Sequence, residues 1–118
     1  YDELDSIIKM YHPTEMAIEE LFFNTNHTTM VPVAEARGVI LLCAKRNGLR
    51  VAEYTPLQVK QSVVGYGRAV KKQVMHMVSL LLKLETTPKL DDTCDALAIA
   101  ICHANCSGSR VQGFYNQR

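Results

Sequence analysis

The stretch EMAIEELFF, residues 15–23, sets the class of the whole chain. Met16, Ala17, Ile18, Leu21 and Phe22 make a short apolar run typical of a buried strand, so a strand is expected over residues 14–22. Residues 33–47 read as a helix with a slim, closely packing surface, in which Ala34, Ala36, Gly38 and Ala44 accompany Val39, Ile40, Leu41 and Leu42. Pro32 suits the start of that helix, residues 23–31 form a polar connection ahead of it, and Asn47-Gly48 closes it with Gly48 as a left-handed cap. Residues 50–54 alternate polar and apolar side chains as a second strand. Two strands separated by a helix make a right-handed parallel unit, so the chain is α/β.

Outward from this unit, residues 1–11 carry Leu4, Ile7, Ile8 and Tyr11 on one helical face. His12-Pro13 ends that helix, because proline lacks a donor and disfavours helix in the residue before it. After Thr55-Pro56, residues 56–63 suggest a short helix carrying Lys60, followed by a turn at Gly65-Tyr66-Gly67-Arg68. That turn is no nucleotide fingerprint, since the third glycine position is Val70. Arg68, Lys71 and Lys72 open the next helix, with Val74, Met77, Val78, Leu81 and Leu82 as its buried stripe. Then comes DDTCDALAIAICHA, residues 91–104, in which residues 96–102 are apolar without a break, as in a helix covered on most sides. A single domain over residues 1–106 and a polar tail over 107–118 are expected.

A chain of 118 residues, 47% of them hydrophobic, supports one core. The formal net charge of +1 is unevenly spread. From Tyr54 to Leu84 there is no acid, while Lys60, Arg68, Lys71, Lys72 and Lys83 fall there, which makes either a solvated basic face or a surface for phosphates. Cys43, Cys94, Cys102 and Cys106 include no CxxC pair and lie mostly in apolar runs, as suits reduced thiols in a cytosolic protein. Cys102, His103 and Cys106 lack the second pair that a zinc set needs. No run of eighteen apolar residues offers a membrane span.

Three acids stand out. Glu19 interrupts the strand's apolar run, and a carboxylate there is costly unless it is paired, bound to a metal or turned to the polar face. Asp92 and Asp95 stand three apart at the mouth of the late helix, either as cap and first-turn acid or as a pair that a divalent cation compensates. Basic residues at the start of the 71–82 helix oppose its dipole and call for a negative neighbour, a role phosphate fills. Together these describe a carboxylate cage for Mg²⁺ beside a phosphate-holding surface, where two divalent ions activate water and stabilise a departing 3′ oxygen, which is nuclease chemistry.

AIEELFF at 17–23, ARGV at 36–39, VKQSVVGYGRAVKKQVMHMV at 59–78 and DDTCDALAIAICHA at 91–104 resemble, in order and spacing, the RuvC family of Holliday junction resolvases. The resemblance implies a ribonuclease H-like fold, a homodimer, and Mg²⁺-dependent paired nicking of four-way DNA junctions in the bacterial cytoplasm, alongside a branch-migration helicase complex. It makes Glu19, Asp92 and Asp95 metal-binding acids. It places Lys60 and Lys71 near the scissile phosphate and Phe22 against DNA at the crossover, and Arg68 and Lys72 of the acid-free basic stretch are expected on the DNA-binding surface beside them. It also implies a first strand carrying GIDPG, to which nothing in this sequence corresponds. The expectation is therefore a fold without its first three strands, holding three of four cage acids. An uncovered strand edge predicts marginal stability or self-association. The alternative expectation is a junction-binding fragment or degenerate relative that does not cleave.

Overall fold

Two parallel strands sandwiched between helices form the centre of the computed structural model, which describes residues 1–20, 27–86 and 91–107. Helix α1 (Asp2–Tyr11) leads into β1 (Glu15–Glu19), α2 (His27–Arg46) and β2 (Arg50–Tyr54), and then α3 (Pro56–Val63), α4 (Lys71–Leu81) and α5 (Asp91–Ser107). The strands pair in register from Glu15 with Arg50 to Glu19 with Tyr54, so the α/β class is as expected.

Strand parity assigns the two layers. Met16 and Val51 face one side and pack with buried Ile8, Cys43, Ala44 and Leu49 of the α1–α2 layer. Ala17, Ala52 and Tyr54 face the other side, where the larger core gathers Val59 and Val63 of α3, Val74 and Val78 of α4, and Cys94, Ala98 and Cys102 of α5. Four-residue spacing puts the last three on a single stripe. Burial at these positions holds α5 against the sheet and so determines where its acids stand.

The turn between α2 and β2 follows from its sequence. Gly48 takes φ +73, Leu49 N–H donates to Ala44 O and Gly48 N–H donates to Lys45 O. This is the paired closure of a Schellman motif, completed by the apolar packing of Leu49 with Cys43 and Ala44. A Cβ at residue 48 would meet nothing within 4 Å, so Gly48→Ala tests the backbone alone. It is expected to lower the unfolding free energy by about 1 kcal/mol, measured by urea denaturation.

Several boundaries differ from the sequence expectations. Strand β1 ends at Glu19, and Leu21 and Phe22 lie outside the described residues. Helix α2 begins at His27, inside the expected polar connection, with Pro32 within the helix rather than at its start. At the sixth helical position proline removes the donor that would otherwise reach Thr28 O, one bond near the helix start, and the helix runs through it. Arg68 lies in the turn before α4 rather than in the helix. On α4, Val74 and Val78 are buried as expected, but Leu81 and Leu82 are exposed because the helix has run past the core. Helix α5 is covered along one stripe instead of on most sides, with Ala96 and Ala100 exposed, since the core contacts it on a single face. It also runs one residue into the expected tail, and residues 108–118 lie outside the described residues.

Candidate active site

The cleft lies at the carboxyl ends of the two strands, where parallel sheets commonly present ligand sites. Glu19 is the last residue of β1 and shares the face of Ala17, so its side chain emerges on the α3–α5 side at the lip of the core. It is exposed, which removes the desolvation cost expected of a buried strand acid.

Helix α3 begins immediately after β2. Thr55 Oγ1 accepts Gln58 N–H at 3.1 Å while Gln58 Oε1 accepts Thr55 N–H at 2.8 Å, and Pro56 follows at the first helical position. This reciprocal cap fixes the direction of α3 and carries Lys60 over the strand ends. At the start of α4, Gln73 Oε1 accepts Val70 N–H at 2.9 Å. With Val74 buried, Lys71 is held on the cleft side. Asp95 follows the buried Cys94 on α5 and turns into the same cleft.

Glu19, Lys60, Lys71 and Asp95 therefore surround one hollow of about 260 Å³, over an apolar floor that includes Val59, Val74 and Ala98. Lys71 Nζ stands 3.2 Å from both Oδ1 and Oδ2 of Asp95. The negative neighbour required at the start of α4 is thus a carboxylate of α5. The two side chains are 49% and 50% exposed, so solvent screening leaves this pair little weight in stability. Its importance is positional, because it brings a cation and an acid from different helices to one point.

The other residues singled out from the sequence separate from this group. Asp92 is exposed and does not line the cleft. It stands one turn before Asp95, about 4.5 Å further along the axis, beyond the end of β1. Lys72 lines a different hollow with Val70 and His76 on the far side of α4, and Arg68 is exposed in the preceding turn. Phe22 lies outside the described residues. Among the described residues no three His, Cys, Asp or Glu side chains converge as a metal-binding group.

Two hard oxygen donors in one cleft nevertheless fit Mg²⁺. This ion keeps several waters and is commonly held by one or two carboxylates together with substrate phosphates. The cysteines do not compete for such a role. Cys43, Cys94 and Cys102 are buried, and burial pushes the Cys102 thiol up to about 11.

A polar network escaped the sequence reading. His103 Nε2 and Glu15 Oε2 are 2.5 Å apart, and His103 Nδ1 is 2.6 Å from the Tyr54 hydroxyl. Glu15 also pairs with Arg50 across the strands. The hydrogen bond from His103 holds the Glu15 carboxyl below its ordinary value, with Arg50 adding to the effect. The one available signal was parity, since Glu15 shares the face of Ala17 and Glu19.

The model of the family described as "Crossover junction endodeoxyribonuclease RuvC" matches residues 1–103. A protein of that name from Desulfitobacterium hafniense is 60% identical over 105 residues, covering 89% of this chain and 64% of the relative. One from Fusobacterium nucleatum is 53% identical over 111 residues, covering 94% of this chain and 58% of the relative. The chain therefore spans somewhat less than two thirds of the length of these relatives. Among solved structures, "Thermus thermophilus RuvC structure" superimposes with a TM-score of 0.83 at 34% identity, covering 91% of this chain and 64% of that one. The same organism's "RuvC in complex with Holliday junction substrate" gives 0.82 at 36% identity, covering 87% and 62%.

Proposed function

The chain belongs to the RuvC family of crossover junction endodeoxyribonucleases, with a ribonuclease H-like α/β fold, and from that premise we propose that it works in resolving four-way DNA junctions by hydrolysing phosphodiester bonds. The observation that carries this reading is the meeting of Glu19, Asp95, Lys60 and Lys71 around one cleft at the strand ends. Acids alone would suit many metal sites. Lysines beside them provide for a polyanion.

In this reading Glu19 and Asp95 would hold Mg²⁺, and Asp92, one helical turn away, would join them only with the substrate in place. A metal held there would supply Lewis-acid polarisation of the phosphate and lower the pKa of the attacking water. The protein's own side chains do the rest. Lys60 and Lys71 bind the scissile phosphate from the α3 and α4 sides and offset the charge that grows on it as the P–O3′ bond breaks. The apolar floor limits the water that competes for these contacts.

Arg68 and Lys72 lie away from the cleft, where they serve the flanking duplex arms through salt-sensitive backbone contacts. Phe22 stacks at the crossover. The junction as substrate is supported by the likeness to the Thermus thermophilus protein solved with a Holliday junction. Symmetric, paired nicks call for two copies of the site, hence a homodimer, which works with a branch-migration helicase complex in the bacterial cytoplasm. No helix among the described residues is long and apolar enough to cross a membrane.

The test is a titration of Mg²⁺ into the protein with a labelled four-way junction, following product by denaturing gel and binding by mobility shift. Metal-dependent nicks at symmetry-related positions are expected. Salt-sensitive binding without nicks under any metal would reduce the chain to a non-cleaving junction binder, and absence of binding at low salt would remove the reading altogether.

A further inference from the structure

β1 and α5 are tied at one end and share a cleft at the other, and the spacing of the two points shows how the cleft acids come to one hollow. Glu19 and Asp95 both line the cleft, and Glu15 and His103 are hydrogen-bonded at the other end of the same pair of elements. The strand and helix therefore run in opposite directions. From Glu15 to Glu19 the strand advances about 13 Å, and from Asp95 to His103 the helix advances about 12 Å. The two spans match. Holding His103 on Glu15 thus brings Asp95 level with Glu19, whereas a slip of one helical turn would move Asp95 by about 5 Å and take it out of the cleft.

The fully buried stripe of α5 discriminates this register weakly. Cys94, Ala98 and Cys102 repeat every four residues and are small, so a one-turn slip would present similar shapes to the core there, and the apolar contribution to the register comes from the half-buried Leu97, Ile99 and Ile101 beside them. The polar end is specific. An ionised Glu15 only accepts, so His103 Nε2–H donates to it, and in the neutral imidazole Nδ1 is then the acceptor for the Tyr54 hydroxyl. One imidazole thereby fastens the helix to the first residue of β1 and the last residue of β2. His103 is only 14% exposed, which limits exchange of these bonds with water.

We propose that His103 is a positioning residue, clamped by Glu15 and Tyr54, that sets the register of α5 on the sheet and so holds Asp95 opposite Glu19 in a geometry competent for metal binding and cleavage. This rests on the reading of the cleft as the cleavage site.

The experiment compares parent, His103→Phe, Tyr54→Phe, Glu15→Ala and Glu15→Gln, at a temperature where circular dichroism shows each to be folded. Single-turnover cleavage at saturating junction, junction affinity without metal, and Mn²⁺ affinity by calorimetry are measured. His103→Phe and Glu15→Ala are expected to lose about tenfold or more in the cleavage step, because displacements of about 1 Å are costly in catalysis. Mn²⁺ affinity should fall with it, while junction affinity stays within about twofold because it depends on the basic surface. Glu15→Gln keeps an acceptor opposite Nε2–H and should recover most of what Glu15→Ala loses.

A merely structural role would lower junction binding and cleavage together and would not be rescued by glutamine, and that pattern overturns the proposal. Parent-like cleavage and Mn²⁺ affinity in His103→Phe also overturn it. Should His103→Phe not fold, Tyr54→Phe decides in its place, with parent-like values overturning the proposal. If the parent binds junction but does not cleave, the reading of the cleft fails, and the Mn²⁺ affinities still report whether His103 sets the register of the acids.

Discussion

Asp95→Asn is expected to slow junction cleavage by about a thousandfold, equivalent to about 4 kcal/mol of transition-state stabilisation, the scale on which a metal ligand acts. The substitution keeps side-chain volume and an oxygen but removes the charge that faces Lys71 and that would share the metal with Glu19. Binding should respond in the opposite sense. A carboxylate at a DNA-facing cleft repels phosphate, so the asparagine variant should hold the junction at least as tightly as the parent in a mobility-shift assay without metal. Because Asp95 is half exposed and its ion pair carries little stability, the melting temperature should hardly move. Loss of cleavage with retained fold and retained binding is therefore the signature of a ligand. Cleavage at the parent rate would remove Asp95 from the site.

The strand–helix–strand unit was legible because each of its parts carries a local signal. The alternation at residues 50–54, the Asn47-Gly48 stop and the Thr55-Pro56 start are chemical statements about backbone geometry, and β2, the α2 terminus and α3 fall where they predict. The start of α2 was not legible, because Pro32 permits a helix to begin there without requiring it. Exposure along α4 and α5 was not legible either. Leu81 and Ala100 are as apolar as Val78 and Ala98, and only the position of the core decides which of them it covers.

The candidate cleft was half legible for a related reason. Glu19 draws attention as a charge that interrupts an apolar run, Asp95 as one of two acids at the mouth of an apolar helix, and Lys60 and Lys71 as cations in a stretch free of acids. Asp92 carries the same sequence signal as Asp95 yet stands outside the cleft, because one helical turn takes it past the end of the strand. The Glu15–His103–Tyr54 clamp had no local signature, since its three residues are far apart in sequence and come together only when α5 lies back across the sheet.

Lys71→Met is expected to lower cleavage by about a hundredfold, the usual cost of removing one preorganised group that stabilises transition-state charge. Methionine keeps much of the aliphatic stem, so the change isolates the ammonium group. Lys71 has two demands on it. Without substrate it stands 3.2 Å from both carboxylate oxygens of Asp95, and with DNA in the cleft it has a phosphate to reach. A metal ion on Asp95 would take over the compensation of that acid and release the lysine for the phosphate, so the two residues should act as one unit. The double variant Lys71→Met/Asp95→Asn then loses little more than Asp95→Asn alone, far less than the product of the single effects. Single-turnover rates for the four proteins of this cycle supply the coupling. Multiplicative losses would mean that Lys71 contacts phosphate independently of Asp95, and that their ion pair is only a feature of the resting cleft.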